Sequence, residues 1–305
     1  MSERDDGLFT FIRERCVRVL VTGAQGQLGQ DVLQQLQDSG YETIALSRED
    51  LDLSLIEDIA DRIAEYNADW VVNCAAYTQV DKAEEENELA FRINRDAVGE
   101  IAQGVARTQG KLFHISTDYV FDGKKSSPYK EDDDVNPLSV YGRSKLEGEN
   151  EIKKILPNAI ILRTAWVFGE HGNNFVKTIL RLASNKQELR VVSDQVGSPT
   201  WTVDIAKAIS VLINNDEKGI YHFTSEGEVS WYDVACEVIN LARQLNYKIV
   251  TENILPISTD EYPVSATRPA YSVLSNEKIK EVIGIEVSDW KESLYSMMQL
   301  YKSNH

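Results

Sequence analysis

The first half of the chain alternates short apolar runs with longer stretches whose apolar residues recur at helical spacing. Four runs rich in β-branched residues predict buried strands, at 17–22 (VRVLVT), 42–47 (ETIALS), 69–78 (DWVVNCAAYT) and 111–117 (KLFHIST). The stretches between them predict helices at 27–37, 54–67 and 86–108. Strands that alternate with helices in this rhythm predict an α/β fold, a doubly wound parallel sheet of the Rossmann type.

The second half of the chain keeps this alternation only in part. A strand at 158–164, a helix at 202–213 and a last strand at 219–223 continue it. The stretch 171–201 departs from it and is rich in Asn, Ser and Gln, and the chain after 225 is mostly helical in pattern.

These departures predict two domains. The Rossmann domain is expected to comprise 17–170 plus 202–224. A smaller, discontinuous, mostly helical domain is expected from 171–201 plus 225–305. Residues 1–16 are predicted to be a disordered N-terminal extension.

A glycine-rich turn, GAQGQLG at 23–29, follows the first predicted strand and opens the first predicted helix. Strand, glycine turn and helix in this order form the context in which a dinucleotide binds. Glycines let the main chain approach the pyrophosphate, and the helix N-terminus favours the anion. The alternative is a purely structural turn. The cofactor contacts predicted here are Gly23, Gly26, Gln27, Leu28 and Gly29.

Residues after the second and third strands are predicted to complete the cofactor site. Ser47 is small and Arg48 can pair with a 2′-phosphate, which favours NADP(H) modestly and leaves NAD(H) usable. Alternatively, Arg48 is an exposed loop residue beside Glu49 and Asp50. Small residues after the third strand permit close approach of a flat ligand. The further cofactor contacts predicted are Ser47, Arg48, Asp52, Leu53, Ala75, Ala76, Tyr77, Thr78 and Asn94.

Candidate catalytic chemistry centres on Tyr141 and Lys145, four residues apart at the start of a helical pattern, and on Thr117, which ends the fourth strand. The spacing puts phenol and ammonium on one helix face, where the ammonium favours the ionised phenol for proton transfer near neutral pH. The hydroxyl of Thr117 could bond a carbonyl oxygen that becomes an alkoxide. Such a pair is also common on solvated helices. However, Gly23, Ala75 and Thr117 all end strands, where a doubly wound sheet binds ligands.

Composition and charge restrict the class of partner. A net charge of −17 over 305 residues argues against a nucleic-acid partner, which requires a basic face. The cysteines Cys16, Cys74 and Cys236 lie far apart and, with four histidines, form no metal-ligand spacing, so we predict a cytoplasmic protein without a metal site. No apolar run has membrane-spanning length, which argues against a membrane partner. The expected partner is a small molecule, and a monomer and a homodimer both remain open.

Several strings together resemble a known enzyme family. TGAQGQLG, NCAAYT, STDYVFDG and YGRSK resemble the extended short-chain dehydrogenase/reductases. Four later strings narrow this resemblance to the dTDP-4-dehydrorhamnose reductase family, over about residues 17–303: RTAWVFG (163–169), GNNFVKTILRLA (172–183), VVSDQVGSPT (191–200) and TRPAYSVL (267–274).

The resemblance implies NADPH-dependent reduction, without a metal, of the C4 keto group of dTDP-4-dehydro-L-rhamnose to give dTDP-L-rhamnose. It implies that Tyr141 donates a proton, that Lys145 holds the nicotinamide ribose, and that Thr117 bonds the carbonyl, with Ser116 as the competitor. It also implies that the smaller domain binds the nucleotide-sugar. The implied substrate contacts are Thr117, Asp118, Tyr141, Trp166, Asn173, Asn174 and Arg268. The competing roles are a loop cap for Asp118, a core aromatic for Trp166 and a structural salt bridge for Arg268.

Two other functions remain open. One is that of another extended-family enzyme acting on a nucleotide-sugar, such as an epimerase or a dehydratase. A dehydratase needs an acidic pair after Thr117, and here Asp118 is followed by Tyr119, which disfavours it. The other is that of a reductase-like regulatory subunit, which need not keep Tyr141 and Lys145.

Overall fold

The structure, a computed structural model, describes residues 16–284 and 286–304. Residues 1–15 of the predicted extension therefore lie outside the described residues. The strands are β1 (Arg18–Thr22), β2 (Glu42–Leu46), β3 (Trp70–Asn73), β4 (Lys111–Thr117), β5 (Ile160–Thr164), β6 (Val167–Phe168), β7 (Glu188–Val192), β8 (Val196–Gly197), β9 (Thr200–Trp201), β10 (Gly219–His222), β11 (Val229–Ser230) and β12 (Asn253–Ile257). The helices are α1 (Gln27–Asp38), α2 (Ile59–Glu65), α3 (Asn87–Phe91), α4 (Ala97–Thr108), α5 (Val140–Ile155), α6 (Phe175–Ala183), α7 (Thr202–Asn214), α8 (Trp231–Gln244), α9 (Glu277–Ile283) and α10 (Trp290–Asn304).

Six strands form the central sheet in the order β10-β5-β4-β3-β1-β2. Every neighbouring pair in it is parallel, which confirms the predicted doubly wound sheet. The chain reverses its direction of travel across the sheet between β1 and β3, since β2 lies outside β1. Ligands bind in the crevice at such a reversal, beyond the carboxyl ends of the strands.

Alternate residues of the buried strands face opposite layers of helices. Val19 and Val21 of β1 pack with residues of α1 and α7 on one face. Leu20, between them, packs with residues of α2, α4 and α5 on the other face. This is the period of two that a strand imposes, and it explains why the central strands are apolar on both faces.

Two helices differ from their predicted extents. The helix predicted from residue 54 begins at Ile59, because the Asp52 carboxylate accepts a hydrogen bond of 2.9 Å from the main chain of Ser54 and holds a turn there. The helix predicted over 86–108 is interrupted by a π turn at Arg92–Asp96 between α3 and α4. This turn directs Asn94 inward, and π turns of this kind are frequent at functional sites.

The C-terminal part of the chain builds a third apolar cluster. Its members come from α6, α8 and α10 and from β7, which pairs in parallel with β12. Helix α9 lies elsewhere, because it packs against α7 and β10, and its Ile279 joins the cluster on the first face of the sheet. The domain boundaries predicted from the sequence assign this helix to the smaller domain instead.

Candidate active site

The glycine turn lies where β1 passes into α1, at the carboxyl edge of the sheet. Gly23 has a φ of +66°, and a Cβ there would lie 2.7 Å from the main-chain nitrogen of Ala75. A Cβ at Gly29 would lie 2.2 Å from the Gly23 oxygen, so α1 packs directly on the turn. A Cβ at Gly26 would meet the Gly23 oxygen at 3.0 Å and otherwise, among the described residues, open space. That open space lies at the N-terminus of α1, where a pyrophosphate fits.

The other two residues predicted in this turn have contacts of their own. Leu28 is buried in the core between α1 and α7. The Gln27 amide donates to the Val167 oxygen at 3.3 Å and accepts from the Asn174 amide at 2.7 Å. Gln27 therefore connects the glycine turn to the segment after β5.

The end of β2 carries a network of polar side chains. The Ser47 hydroxyl and main-chain nitrogen donate to the Asp50 carboxylate at 2.7 and 2.9 Å. The Arg48 side chain is 77% exposed, with its Nε 3.4 Å from the Asp52 carboxylate. Leu53 is buried in the core with α2. Arg48 therefore lies at the predicted place, but with a weak, exposed partner, and its pairing with a 2′-phosphate stays a prediction.

Asn94 organises the loop that follows β3. Its amide oxygen accepts from the Tyr77 nitrogen at 2.9 Å, and its amide nitrogen donates to the Tyr77 oxygen at 3.1 Å and to Ser144 at 3.0 Å. The Asn94 side chain is thus fully buried, and both its amide oxygen and its amide nitrogen are hydrogen-bonded. Asn94 positions loop 75–78 against α5, a role that its sequence pattern did not distinguish from direct cofactor binding.

Tyr141 and Lys145 lie on one face of α5, as their spacing predicts. The helix begins after Ser139, whose hydroxyl accepts from the Gly142 nitrogen at 3.1 Å. Thr117 ends β4, and its hydroxyl lies near Tyr141. The competitor Ser116 points elsewhere, donating at 2.6 Å to the buried carboxylate of Glu149.

The protonation states of the pair differ from the sequence-based expectation. Burial raises the pKa of Tyr141 to about 12, against the opposing effect of the nearby Thr117 hydroxyl. Burial lowers the pKa of Lys145 to about 8. The expectation that the ammonium favours the phenolate is wrong for this arrangement, because the Lys145 Nζ instead donates to the Ile115 oxygen at 2.7 Å. Tyr141 is therefore a protonated phenol at neutral pH.

Asp118 is a buried carboxyl group beside this pair. Its side chain accepts from the Thr117 hydroxyl at 3.0 Å through Oδ1. Its Oδ2 atom is buried and has no hydrogen-bond partner within 16–284 and 286–304. Burial raises the pKa of Asp118 to about 6, although the nearby hydroxyls of Ser272 and Thr117 oppose the shift. A buried, unpartnered carboxyl oxygen calls for a donor from a ligand.

Trp166 is half-buried, and it both stacks on Trp231 and packs against the third apolar cluster. Its ring lies 3.5 Å from that of Trp231 with an interplanar angle of 6°, and Phe175 packs on Trp231 at 4.5 Å. Its φ of +48° is in the left-handed region, a strained conformation typical of functional sites. A Cβ at Gly197 would lie 2.5 Å from the Trp166 ring, so the stack is closely covered on that side. Trp231 was not predicted, because an aromatic residue at a helix start resembles a core residue.

The remaining predicted substrate residues have mixed positions. Asn173 is exposed. Asn174 caps α6, accepting from the Lys177 nitrogen at 3.0 Å, and both of its amide hydrogens are engaged. Arg268 pairs bidentately with Asp81 at 2.7 and 3.0 Å, which is the salt bridge weighed as its alternative role. Asp81 was not predicted, because it lies 187 residues from Arg268 in the sequence.

The described residues contain neither a cluster of metal-ligating side chains nor a membrane-spanning helix. Across 16–284 and 286–304, no group of three or more His, Cys, Asp or Glu side chains is arranged to hold a metal ion. Over the same ranges, none of the helices is both long and apolar enough to cross a bilayer.

Comparison with known proteins identifies the family. The family model described as "RmlD substrate binding domain" matches residues 17–303. The dTDP-4-dehydrorhamnose reductase of Aggregatibacter actinomycetemcomitans is 45% identical, over 91% of this chain and 97% of the relative. A crystal structure of a dTDP-4-dehydrorhamnose reductase from Clostridium acetobutylicum has a TM-score of 0.88 at 41% identity, covering 94% of this chain and 100% of that one. The Bacillus anthracis enzyme of the same name, crystallised in complex with NADP, has a TM-score of 0.87 at 35% identity, with coverage of 94% and 100%. The chain belongs to the dTDP-4-dehydrorhamnose reductase family.

Proposed function

We propose that this chain reduces the C4 keto group of dTDP-4-dehydro-L-rhamnose with NADPH, giving dTDP-L-rhamnose. The observation that carries the proposal is the placement of Thr117, Tyr141 and Lys145 together at the carboxyl edge of the sheet, next to the glycine turn. The relatives named for this reaction match along nearly the whole chain, and one of them was crystallised with NADP.

The cofactor site fits a dinucleotide on this chain's own geometry. The open position at Gly26 and the N-terminus of α1 would hold the pyrophosphate. Ser47 and Arg48 would face the adenosine ribose, with a modest preference for NADPH and with NADH accepted. Loop 75–78 would lie along the cofactor, and Lys145 would hold the nicotinamide ribose. When bound, NADPH supplies the hydride that adds to C4.

The protein's part in the reaction is to bind the carbonyl and supply the proton. The Thr117 hydroxyl would turn its hydrogen from Asp118 to the C4 oxygen as negative charge develops there. The Tyr141 phenol gives its proton to that oxygen, completing the alcohol. A phenol whose pKa is raised to about 12 stays protonated at neutral pH, as a general acid must. Lys145, once protonated, stabilises the phenolate that remains.

The substrate would lie between the sheet edge and the C-terminal part of the chain. The unpartnered Oδ2 of Asp118 would accept from a sugar hydroxyl. The stack of Trp166 and Trp231 would border the sugar or the base, with Asn173 at the rim. Arg268 would bind the diphosphate only if its guanidinium group also kept, or gave up, its ion pair with Asp81.

We propose the corresponding division of labour along the chain. Residues 17–170 plus 202–224 would bind the cofactor, and 171–201 plus 225–305 would bind the nucleotide-sugar, with α9 packed on the sheet. We place the reaction in the cytoplasm and assign the chemistry no metal. Light scattering would distinguish a monomer from a homodimer.

The alternatives have less support. A non-catalytic subunit does not require the three catalytic side chains, whereas here Tyr141 and Lys145 share one face of α5 and the Thr117 hydroxyl lies near Tyr141. An epimerase or dehydratase would keep NAD bound through each turnover, whereas a reductase exchanges its cofactor.

The test is NADPH oxidation by the purified protein on a panel of dTDP-4-keto sugars, with dTDP-glucose, which lacks the ketone, as the control. We expect oxidation with dTDP-4-dehydro-L-rhamnose and formation of dTDP-L-rhamnose, identified by NMR. Oxidation with none of the keto sugars would contradict the proposal, as would purification with a full complement of NAD that dialysis does not remove.

A further inference from the structure

Behind the proposed active site, Lys145 contacts a buried histidine. The Nζ atom of Lys145 lies 3.2 Å from the Nε2 atom of His114. His114 is 0% exposed and Lys145 is 2% exposed, so water does not separate or solvate them freely. Because His114 lies on β4, on the sheet face covered by α5, it reaches the catalytic lysine from beneath.

The hydrogen bonds of Asn73 determine which nitrogen of His114 carries the proton. The Asn73 amide oxygen accepts from the Thr22 hydroxyl at 2.6 Å and from the main-chain nitrogen of Ala75 at 3.2 Å. A main-chain N–H can only donate, so the amide oxygen must face it and the amide nitrogen must face away. That nitrogen lies 3.0 Å from the Nδ1 atom of His114 and donates to it. Nδ1 is therefore an acceptor and carries no hydrogen.

A neutral imidazole with an unprotonated Nδ1 carries its hydrogen on Nε2, the atom that faces Lys145. An ammonium group has donors only, so a charged Lys145 would place a donor hydrogen on Nζ opposite the donor hydrogen on Nε2 of His114. An uncharged amine has one lone pair, which can accept from Nε2 while its own hydrogen goes to the Ile115 oxygen at 2.7 Å.

We propose that His114 is a positioning residue that stabilises the uncharged amine of Lys145 relative to its ammonium, by donating to that amine, until the cofactor draws the lysine nitrogen to its ribose. Once it has left His114, the lysine nitrogen binds a proton from solvent more strongly, as the ammonium that the reaction uses. This catalytic consequence rests on the proposed function, whereas the tautomer of His114 and the charge of Lys145 do not.

The groups around the pair are consistent with this assignment. Burial lowers the pKa of Lys145 and lowers that of His114 well below its ordinary value, so both groups are shifted toward their neutral forms. The opposing influence on Lys145 comes from Glu149, one turn on in α5, whose charge is balanced by Arg163 at 2.7 Å. The Cys74 thiol, which follows β3, also raises the pKa of Lys145 but is itself held protonated by burial.

The first test uses the wild-type protein without substrate. Long-range ¹⁵N correlation spectra of labelled histidine should show His114 as the Nε2–H tautomer throughout the neutral pH range. The ¹³Cε resonance of Lys145, assigned with Lys145→Arg, should titrate about two pH units below an ordinary lysine, as burial with a neutral donor requires. An Nδ1–H tautomer, an imidazolium, or an ordinary lysine titration would overturn the proposal and leave the proposed function intact.

The second test replaces the donor. His114→Gln can turn its amide oxygen to Lys145 and accept from an ammonium, so the pKa of Lys145 should rise by about one unit or more. The alkaline limb of kcat/KM should move up with it. Phe113→Leu, in the same strand but on the opposite sheet face, is the matched control, and should lower stability without moving either titration. Equal titrations in the Gln variant and in wild type would refute the role of His114, and if the Gln variant does not fold, the wild-type spectra decide the question.

Discussion

Asp118→Asn should make the protein more stable and less active at the same time. In the folded protein burial raises the pKa of Asp118 from 3.8 to about 6. Between these two values the unfolded chain ionises while the folded protein keeps its proton. Stability is therefore lost as pH rises through this window. The asparagine side chain has the shape of the protonated aspartic acid but does not ionise. The Asn variant therefore keeps its free energy of unfolding as pH rises through this window.

The size of the effect follows from the pKa values. A difference of about two pH units corresponds to about 3 kcal/mol in the free energy of unfolding. The Asn variant should exceed wild type by under about 1 kcal/mol at pH 4.5 and by about 2–3 kcal/mol at pH 8. Because Oδ2 is the unpartnered atom that would accept from the sugar, kcat/KM should fall by about 10–100-fold, the effect of losing one hydrogen bond to a charged group.

The assay is urea unfolding at several pH values, with steady-state kinetics on the same preparations. Asp122→Asn is the control, because hydrogen bonds from Lys124, Asn136 and Tyr129 outweigh its burial and hold the pKa of Asp122 below its ordinary value. That substitution should slightly destabilise the protein instead. An Asp118→Asn variant whose stability differs from wild type by the same amount at every pH would show that the carboxyl group ionises normally, and would refute the reasoning.

Three further predictions follow from the site and its support. Gly26→Val should abolish NADPH binding, measured by calorimetry, while the protein stays folded. Gly29→Ala should instead impair folding, because its Cβ would lie 2.2 Å from a main-chain oxygen. An unchanged affinity for NADPH in the Val variant would show that the phosphates bind elsewhere. Arg48→Ala should remove an NADPH preference on the order of tenfold in kcat/KM, and an unchanged NADPH/NADH ratio would show that this arginine only pairs with its neighbour. Glu149→Gln should lower the free energy of unfolding by about 3–5 kcal/mol, because it leaves the buried Arg163 without a charge partner; a loss below about 1 kcal/mol by urea unfolding would argue against this.

Local periodicity was enough to predict the sheet and the catalytic face. The strands β1 and β3 are near-continuous apolar runs, and Tyr141 and Lys145 share a helix face through spacing alone. Side-chain roles that depend on how the elements pack were not predicted from these local patterns. Thr117 and Ser116 are adjacent in sequence but point apart, and which of them meets Tyr141 depends on where α5 packs.

Other features depend on contacts between distant segments. The Asp81–Arg268 pair joins residues 187 positions apart, which no local pattern reveals. The π turn around Asn94 fits a close approach to Gly148, where a Cβ would lie 2.1 Å from the Asn94 oxygen. The protonation of Lys145 could not be predicted from its spacing, because it depends on the His114 ring beneath it.

The most direct test of the central claim is the turnover of dTDP-4-dehydro-L-rhamnose with NADPH by wild type and by Tyr141→Phe, with cofactor affinity measured in parallel. The variant loses only the phenolic hydroxyl, so its affinity for NADPH should be unchanged. Its kcat should fall by about 10²–10⁴-fold, the usual contribution of a general acid. Wild-type turnover by the Phe variant would contradict the account.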